Sequence, residues 1–127
     1  MSMSDSVKTI LIADDDEDLR LLVQVTLENP TYRILTAVDG SQALDALNQH
    51  RPDLLIIDWM MPGLNGYEAV IQLRRNPCTA TIPVVMLTAK DGLEAQEQMA
   101  SLALAGYLVK PFSPLELIKK VREVLDT

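Results

Sequence analysis

Cysteine is almost absent. Cys78 stands alone in 127 residues, which excludes an internal disulfide. It falls in the turn-like stretch Asn76-Pro77-Cys78-Thr79, without charged neighbours to lower a thiol's pKa, and reads as inert. No apolar run approaches the roughly 20 residues that a bilayer crossing requires. The polar start Met1-Ser2-Met3-Ser4-Asp5-Ser6 lacks the basic and apolar regions of a signal peptide. The expectation is a protein in solution, in the cytoplasm, with no membrane partner. Basic charge is scarce too: 11 Lys and Arg face 18 Asp and Glu, for a formal net charge of −7. Such a balance argues against a nucleic-acid surface, which needs clustered cations to neutralise phosphates. Internal repeats, low-complexity tracts and linkers are all missing. Residues 1–127 therefore read as one domain, with 1–6 a disordered tail, and a hydrophobic content of 48% suffices for one core. The only histidine, His50, lies in the polar stretch Asn48-Gln49-His50-Arg51-Pro52 and reads as a surface residue.

What the chain does have is a set of apolar runs that stop at ionisable groups. Ile10-Leu11-Ile12-Ala13 ends in Asp14-Asp15, Leu54-Leu55-Ile56-Ile57 in Asp58, and Tyr107-Leu108-Val109 in Lys110. Each reads as a buried strand with a charge at its carboxyl end. Short apolar runs alternate with segments of helical period five times, the pattern of a parallel sheet with helices on both faces. Strands are expected at about 8–13, 32–37, 54–58, 83–88 and 107–109, and helices at about 16–29, 41–49, 65–75, 92–103 and 114–125. Four helices open with capping-type spacing: Asp39 with Gln42, Asn65 with Glu68, Asp91 with Glu94, and Ser113 with Glu116. Pro114 follows Ser113 at the first helical position, where its missing N–H is harmless. The last helix is plainly amphipathic, with Leu117, Ile118, Val121, Val124 and Leu125 opposite Lys119, Lys120, Arg122 and Glu123. The fourth is not: Leu93, Ala100 and Leu104 mark one stripe, and Ala95, Met99 and Leu102 another. Either both stripes are partly buried or one is left for a partner.

In open α/β sheets, ligands bind in the crevice at the carboxyl ends of the strands. Asp14, Asp15 and Asp58 would share that crevice, and like charges so close oppose one another's ionisation unless a cation is present. Few oxygen ligands with room for water suit Mg²⁺, or Mn²⁺ in its place. Asp16, Glu17 and Asp18 are sufficiently explained as acids at the positive end of a helix. A carboxylate at position 58 can act as a nucleophile toward a phosphoryl group, with metal and ammonium offsetting charge on the equatorial oxygens. Lys110 supplies the ammonium. Thr88 ends the fourth strand, where its hydroxyl either donates to a phosphoryl oxygen or serves simply as a β-branched strand residue.

Taken together, Asp14-Asp15, Asp58 with Met61-Pro62 and Gly66, Thr88-Ala89, and Lys110-Pro111-Phe112 resemble the receiver domain of two-component response regulators, over essentially the whole chain. The resemblance implies a flavodoxin-like, doubly wound, five-stranded parallel sheet in the order 2-1-3-4-5 with five helices. It implies that Asp58 is the phosphoacceptor, served by a sensor histidine kinase or a histidine phosphotransfer protein. It also implies that Mg²⁺ is held by Asp15 directly, Asp14 mainly through water, Asp58 and the backbone carbonyl of Met60. Thr88 and Lys110 would contact phosphoryl oxygens, and the Lys110-Pro111 bond would be cis, an isomer that proline allows at modest cost. Thr88 and Tyr107 would form the switch, biased by phosphorylation. On its own residue type, Tyr107 could equally be an amphipathic aromatic at the end of a strand. Output would pass to a protein target or fused domain through helix 4, strand 5 and helix 5, without nucleic-acid binding by this domain. The protein would be a switch rather than a turnover enzyme.

Several positions modify that picture. Met60 and Lys90 lie two residues beyond Asp58 and Thr88, close to the path of hydrolytic water. Apolar Met60 is expected to shield the aspartyl phosphate. Around Ala103-Leu104-Ala105-Gly106 the chain lacks the glycine and acids common in the family, so the DNA-binding subfamily that dimerises through charged pairs on this face is a poor match. A metal-dependent aspartate phosphatase would carry a second acid at position 60, and a flavin carrier of this fold a hydroxyl- or glycine-rich loop after strand one. The residues present disfavour both. The chain stops after helix five at Asp126-Thr127, so output is expected from a partner or a further domain.

Overall fold

A computed structural model describes residues 7–89 and 93–126. Its elements alternate strictly: β1 (Lys8–Ala13), α1 (Glu17–Thr26), β2 (Tyr32–Ala37), α2 (Gly40–His50), β3 (Leu54–Asp58), α3 (Gly66–Arg75), β4 (Val84–Thr88), α4 (Leu93–Ala100), β5 (Gly106–Val109) and α5 (Pro114–Leu125). The five strands pair in parallel in the order β2-β1-β3-β4-β5, as the resemblance implied.

Alternation along the strands builds two cores. Leu11, Leu55, Ile57, Val84 and Met86 face α2, α3 and α4, and meet Ala43, Leu47, Val70, Leu73 and Met99. Their neighbours Ile10, Ile12, Leu54, Ile56, Val85 and Leu87 face the other way, onto Val23 and Leu27 of the α1 side and Leu117 and Val121 of α5. Every residue of β3 and β4 is buried, because helices cover both faces.

Helix starts follow the expected side chains. Asp16 caps α1 by accepting from the amides of Asp18 and Leu19. Asn65 with Glu68 and Ser113 with Glu116 form complete capping boxes. Asp39 accepts from Gln42 N–H, whereas the Gln42 side chain turns to Val38 N–H instead of closing a box. The Asp91–Glu94 pairing involves residues outside the described set.

Two helices are shorter than their periodicity suggested. Helix α1 stops at Thr26 because Pro30 follows and Asn29 forms its own turn, accepting from Thr31 N–H and Tyr32 N–H. Helix α4 ends at Ala100 instead of running to 103. The next residues make a turn in which Ala103 adopts φ 54°, a left-handed conformation that ends a helix. Of the two stripes expected on α4, Ala95, Met99 and Leu102 are buried, while Ala100 is exposed and Leu104 packs partly against the same core.

Candidate functional site

The ladder of main-chain hydrogen bonds runs one residue past β1, β3 and β5 and delivers the site. Asp14 N–H donates to Ala37 O just beyond β1, Trp59 N–H to Leu87 O just beyond β3, and Lys110 N–H to Thr88 O just beyond β5. The sheet's own pairing thus brings Asp14, Asp58, Thr88 and Lys110 to one edge. Arg20 from α1 donates to Asp14 O at 2.8 Å and ties down the first corner.

Around Asp58 the backbone is tightly held. Gly66 opens α3 and donates to Trp59 O, while a Cβ there would stand 2.2 Å from Asp58 O. Only glycine lets the helix start so close to the strand end. Gly63 supplies the positive φ of the intervening loop, at 72°. Met60 N–H donates to Asp58 Oδ1 at 3.0 Å, and Lys110 Nζ donates to Asp58 Oδ2 at 2.6 Å. Both carboxylate oxygens of this nearly inaccessible residue are therefore engaged, one by a neutral donor and one by an ammonium. The Lys110-Pro111 bond is cis.

Asp14 is wholly buried. Its Oδ1 accepts from Asp16 N–H at 2.9 Å, but its Oδ2 has no partner. Burial pushes its carboxyl up to about 6 from 3.8; Asp58 adds to the rise, and the Asp16 amide and Lys110 oppose it. Asp15 is exposed at the mouth. Oxygen atoms of Asp14, Asp15 and Asp58 lie within 4.8 Å of one another. An orphaned buried oxygen inside a cluster of three acids is what a hard divalent cation, or its water, would satisfy.

The other expected residues fall where the sequence placed them, with one exception. Thr88 is fully buried at the end of β4. Tyr107 is half-buried on β5, packed against the helix α2–α4 core. The Met60 side chain is 60% exposed beside the acceptor. His50 and Cys78 are exposed, as expected. Lys90 lies outside the described residues. Sequence reasoning passed over the steric role of Gly66, for which the loop Asp58-Trp59-Met60-Met61-Pro62-Gly63-Leu64-Asn65-Gly66 was the available signal. It also passed over Arg74, which nothing local distinguishes from Arg75.

A doubly wound parallel sheet with a carboxylate, an acidic pair and a lysine at its carboxyl edge defines a class of α/β protein with a charged crevice at its strand ends. The family model for the response regulator receiver domain matches residues 10–122, and the chain belongs to that family. It is 40% identical over 118 residues to the phosphate regulon transcriptional regulatory protein PhoB of Pseudomonas aeruginosa, covering 93% of this chain and 52% of that protein. It is also 40% identical over 120 residues to the alkaline phosphatase synthesis transcriptional regulatory protein PhoP of Bacillus subtilis, covering 93% of this chain and 48% of that one. The chain spans about half the length of these curated relatives. Among solved structures, Vibrio cholerae chemotaxis protein CheY4 superposes with a TM-score of 0.86 at 33% identity, over 93% of this chain and 98% of that one. Both curated relatives are transcriptional regulators by name. The departure around Ala103 therefore does not set the chain apart from that group in overall identity. As a receiver domain it is a signalling switch of two-component systems rather than a turnover enzyme. Among the described residues no helix is long and apolar enough to cross a membrane.

Proposed function

We propose that Asp58 accepts a phosphoryl group from the phosphohistidine of a sensor histidine kinase or histidine phosphotransfer protein, and that Thr88 and Tyr107 convert this into altered partner binding. The observation that carries the reading is the engagement of Asp58 by Lys110 at 2.6 Å inside a cluster of three acids. In the transfer, an Asp58 carboxylate oxygen attacks phosphorus, the phosphorus–nitrogen bond breaks, and the imidazole leaves with the bonding pair and takes up a proton. Lys110 and the Thr88 hydroxyl then donate to phosphoryl oxygens, so the ammonium that now neutralises a carboxylate comes to neutralise the phosphoryl charge.

Asp14, Asp15, Asp58 and the Met60 carbonyl would hold Mg²⁺, with Mn²⁺ able to use the same oxygens. When bound, the ion offsets negative charge on the cluster and on the incoming phosphoryl group. In this reading Asp15 ligates directly and Asp14 mainly through water, which suits the orphaned Asp14 Oδ2. Met60, exposed and apolar, screens the aspartyl phosphate, and Lys90, which lies outside the described residues, is assigned a companion role in tuning hydrolysis from its place two residues beyond Thr88 in the sequence. Residues 1–127 act as one cytoplasmic receiver; the tail expected at 1–6 lies outside the described residues. Its output goes to a protein target or fused domain through α4, β5 and α5, and it binds neither nucleic acid nor membrane itself.

Incubation with acetyl phosphate and Mg²⁺ tests this, read by intact mass. The expected result is a gain of one phosphoryl group that is absent in Asp58→Asn. Continuous release of phosphate from phosphomonoesters, with no labelled protein, would support the phosphatase reading instead.

A further inference from the structure

Helix α3 ends in two arginines that behave differently. Arg75 is exposed, whereas Arg74 is half-buried and donates to four main-chain carbonyls. Its Nε reaches Leu102 O at 3.0 Å and one terminal nitrogen reaches Ala103 O at 3.0 Å; the other reaches Ile82 O at 2.7 Å and Ala80 O at 2.9 Å. The ion pairs among the described residues are Lys110 with Asp58 and Lys120 with Glu123, so there the guanidinium works through neutral acceptors. Burial lowers its pKa from the ordinary value, because desolvation disfavours the charged form.

Those four carbonyls belong to two segments. Ala80 and Ile82 lie in the approach to β4, which ends in Thr88. Leu102 and Ala103 form the turn after α4 that leads into β5 and Tyr107. Ala103 carries the φ of 54° that an alanine seldom adopts, and its carbonyl is one of the four that Arg74 holds. Leu102 is driven into the core at 2% exposure. The residues that follow, Leu104 and Gly106, together with Ala103 and Met99, line an open groove of about 400 Å³ beside Tyr107. Arg74 thus holds the carbonyl of Ala103, one of the residues that line this groove together with Tyr107, at the end of the sheet opposite Asp58. A lysine, with its donors at a single point, cannot span both segments.

We propose that Arg74 is a positioning residue for the switch: by tying the α4–β5 turn to the α3–β4 loop it fixes the wall against which Tyr107 moves, and so controls how strongly phosphorylation of Asp58 is felt at Tyr107. The inference rests on the reading of Thr88 and Tyr107 as the switch. The test uses Arg74→Lys and Arg74→Met in the full chain, with 3-fluorotyrosine at Tyr32, Tyr67 and Tyr107 and the resonances assigned by Tyr→Phe replacement. Phosphorylation uses acetyl phosphate and Mg²⁺. Phosphoryl uptake at Asp58 and Mg²⁺ affinity are expected to match the parent. The phosphorylation-dependent displacement of the Tyr107 resonance is expected to fall to about half or less in Arg74→Lys, and further in Arg74→Met. A parent-sized displacement in Arg74→Lys overturns the proposal. So does a loss of phosphoryl uptake and Mg²⁺ binding in step with the displacement, which would mark general destabilisation. Should Arg74→Met fail to fold, Arg74→Lys decides alone. If the parent itself shows no displacement on phosphorylation, the switch reading fails first and the role of Arg74 falls with it.

Discussion

Replacing Asp14 with asparagine should stabilise the metal-free protein while abolishing its divalent-cation site. Burial holds the Asp14 carboxyl at about 6 against an ordinary 3.8, so the folded chain binds this proton more tightly than the unfolded one. Ionisation of Asp14 therefore opposes folding. The penalty is absent below about pH 4, grows between about pH 4 and 6, and is constant above that. At 1.36 kcal/mol per unit, the rise from 3.8 to about 6 amounts to about 3 kcal/mol at pH 7.5. Asparagine keeps an acceptor for Asp16 N–H but brings a buried amide that needs its own partner, at a cost of about 1 kcal/mol. A net gain of about 2 kcal/mol remains, which corresponds to a shift of about 1 M in the urea midpoint. Saturating Mg²⁺ should reverse the order, since the parent gains about 2.7 kcal/mol at a hundredfold excess over its dissociation constant and the variant gains little. Urea titrations in EDTA at pH 7.5 and pH 4, repeated with Mg²⁺, measure all of this. A variant less stable than the parent at pH 7.5 in EDTA, or a difference that does not shrink toward pH 4, refutes the reasoning.

Gly66→Ala places a methyl 2.2 Å from Asp58 O and should lower stability by about 2 kcal/mol by thermal or urea unfolding; unchanged stability would show that the close approach relaxes freely. Lys110→Ala removes the ammonium 2.6 Å from Asp58 and should slow phosphoryl uptake from acetyl phosphate about a hundredfold, while Trp59 fluorescence still reports Mg²⁺ binding. Met60→Glu or Met60→Asn should change the lifetime of the phosphorylated form, followed by intact mass after removal of donor, and an unaltered lifetime contradicts the shielding role.

The main features of the site were legible because a parallel sheet converts sequence position into spatial position. A residue just after an apolar run lies at the carboxyl edge, so Asp14, Asp58, Thr88 and Lys110 were bound to converge once the strands were parallel and adjacent. Helix starts were legible for a related reason: capping is a local reaction between residues three apart, as at Asn65–Glu68 and Ser113–Glu116. Helix ends were harder to read. The apolar pattern of α4 continues past Ala100, and what stops it is a turn whose carbonyls are taken by Arg74, 28 and 29 residues earlier in the chain.

What the sequence determined by itself, then, was the alternation of elements, the identity of the charged edge and the chemistry its residue types permit. These follow from periodicity and local hydrogen bonding, which act over a few residues. Only the tertiary structure decided which stripe of α4 is buried, that Asp14 rather than Asp15 carries the unsatisfied oxygen, that Gly66 is required by a carbonyl 2.2 Å from its missing Cβ, and that Arg74 rather than Arg75 spans two loops. Each depends on how completely water is excluded and how closely distant backbone segments approach. Those are properties of packing that no short stretch of sequence encodes.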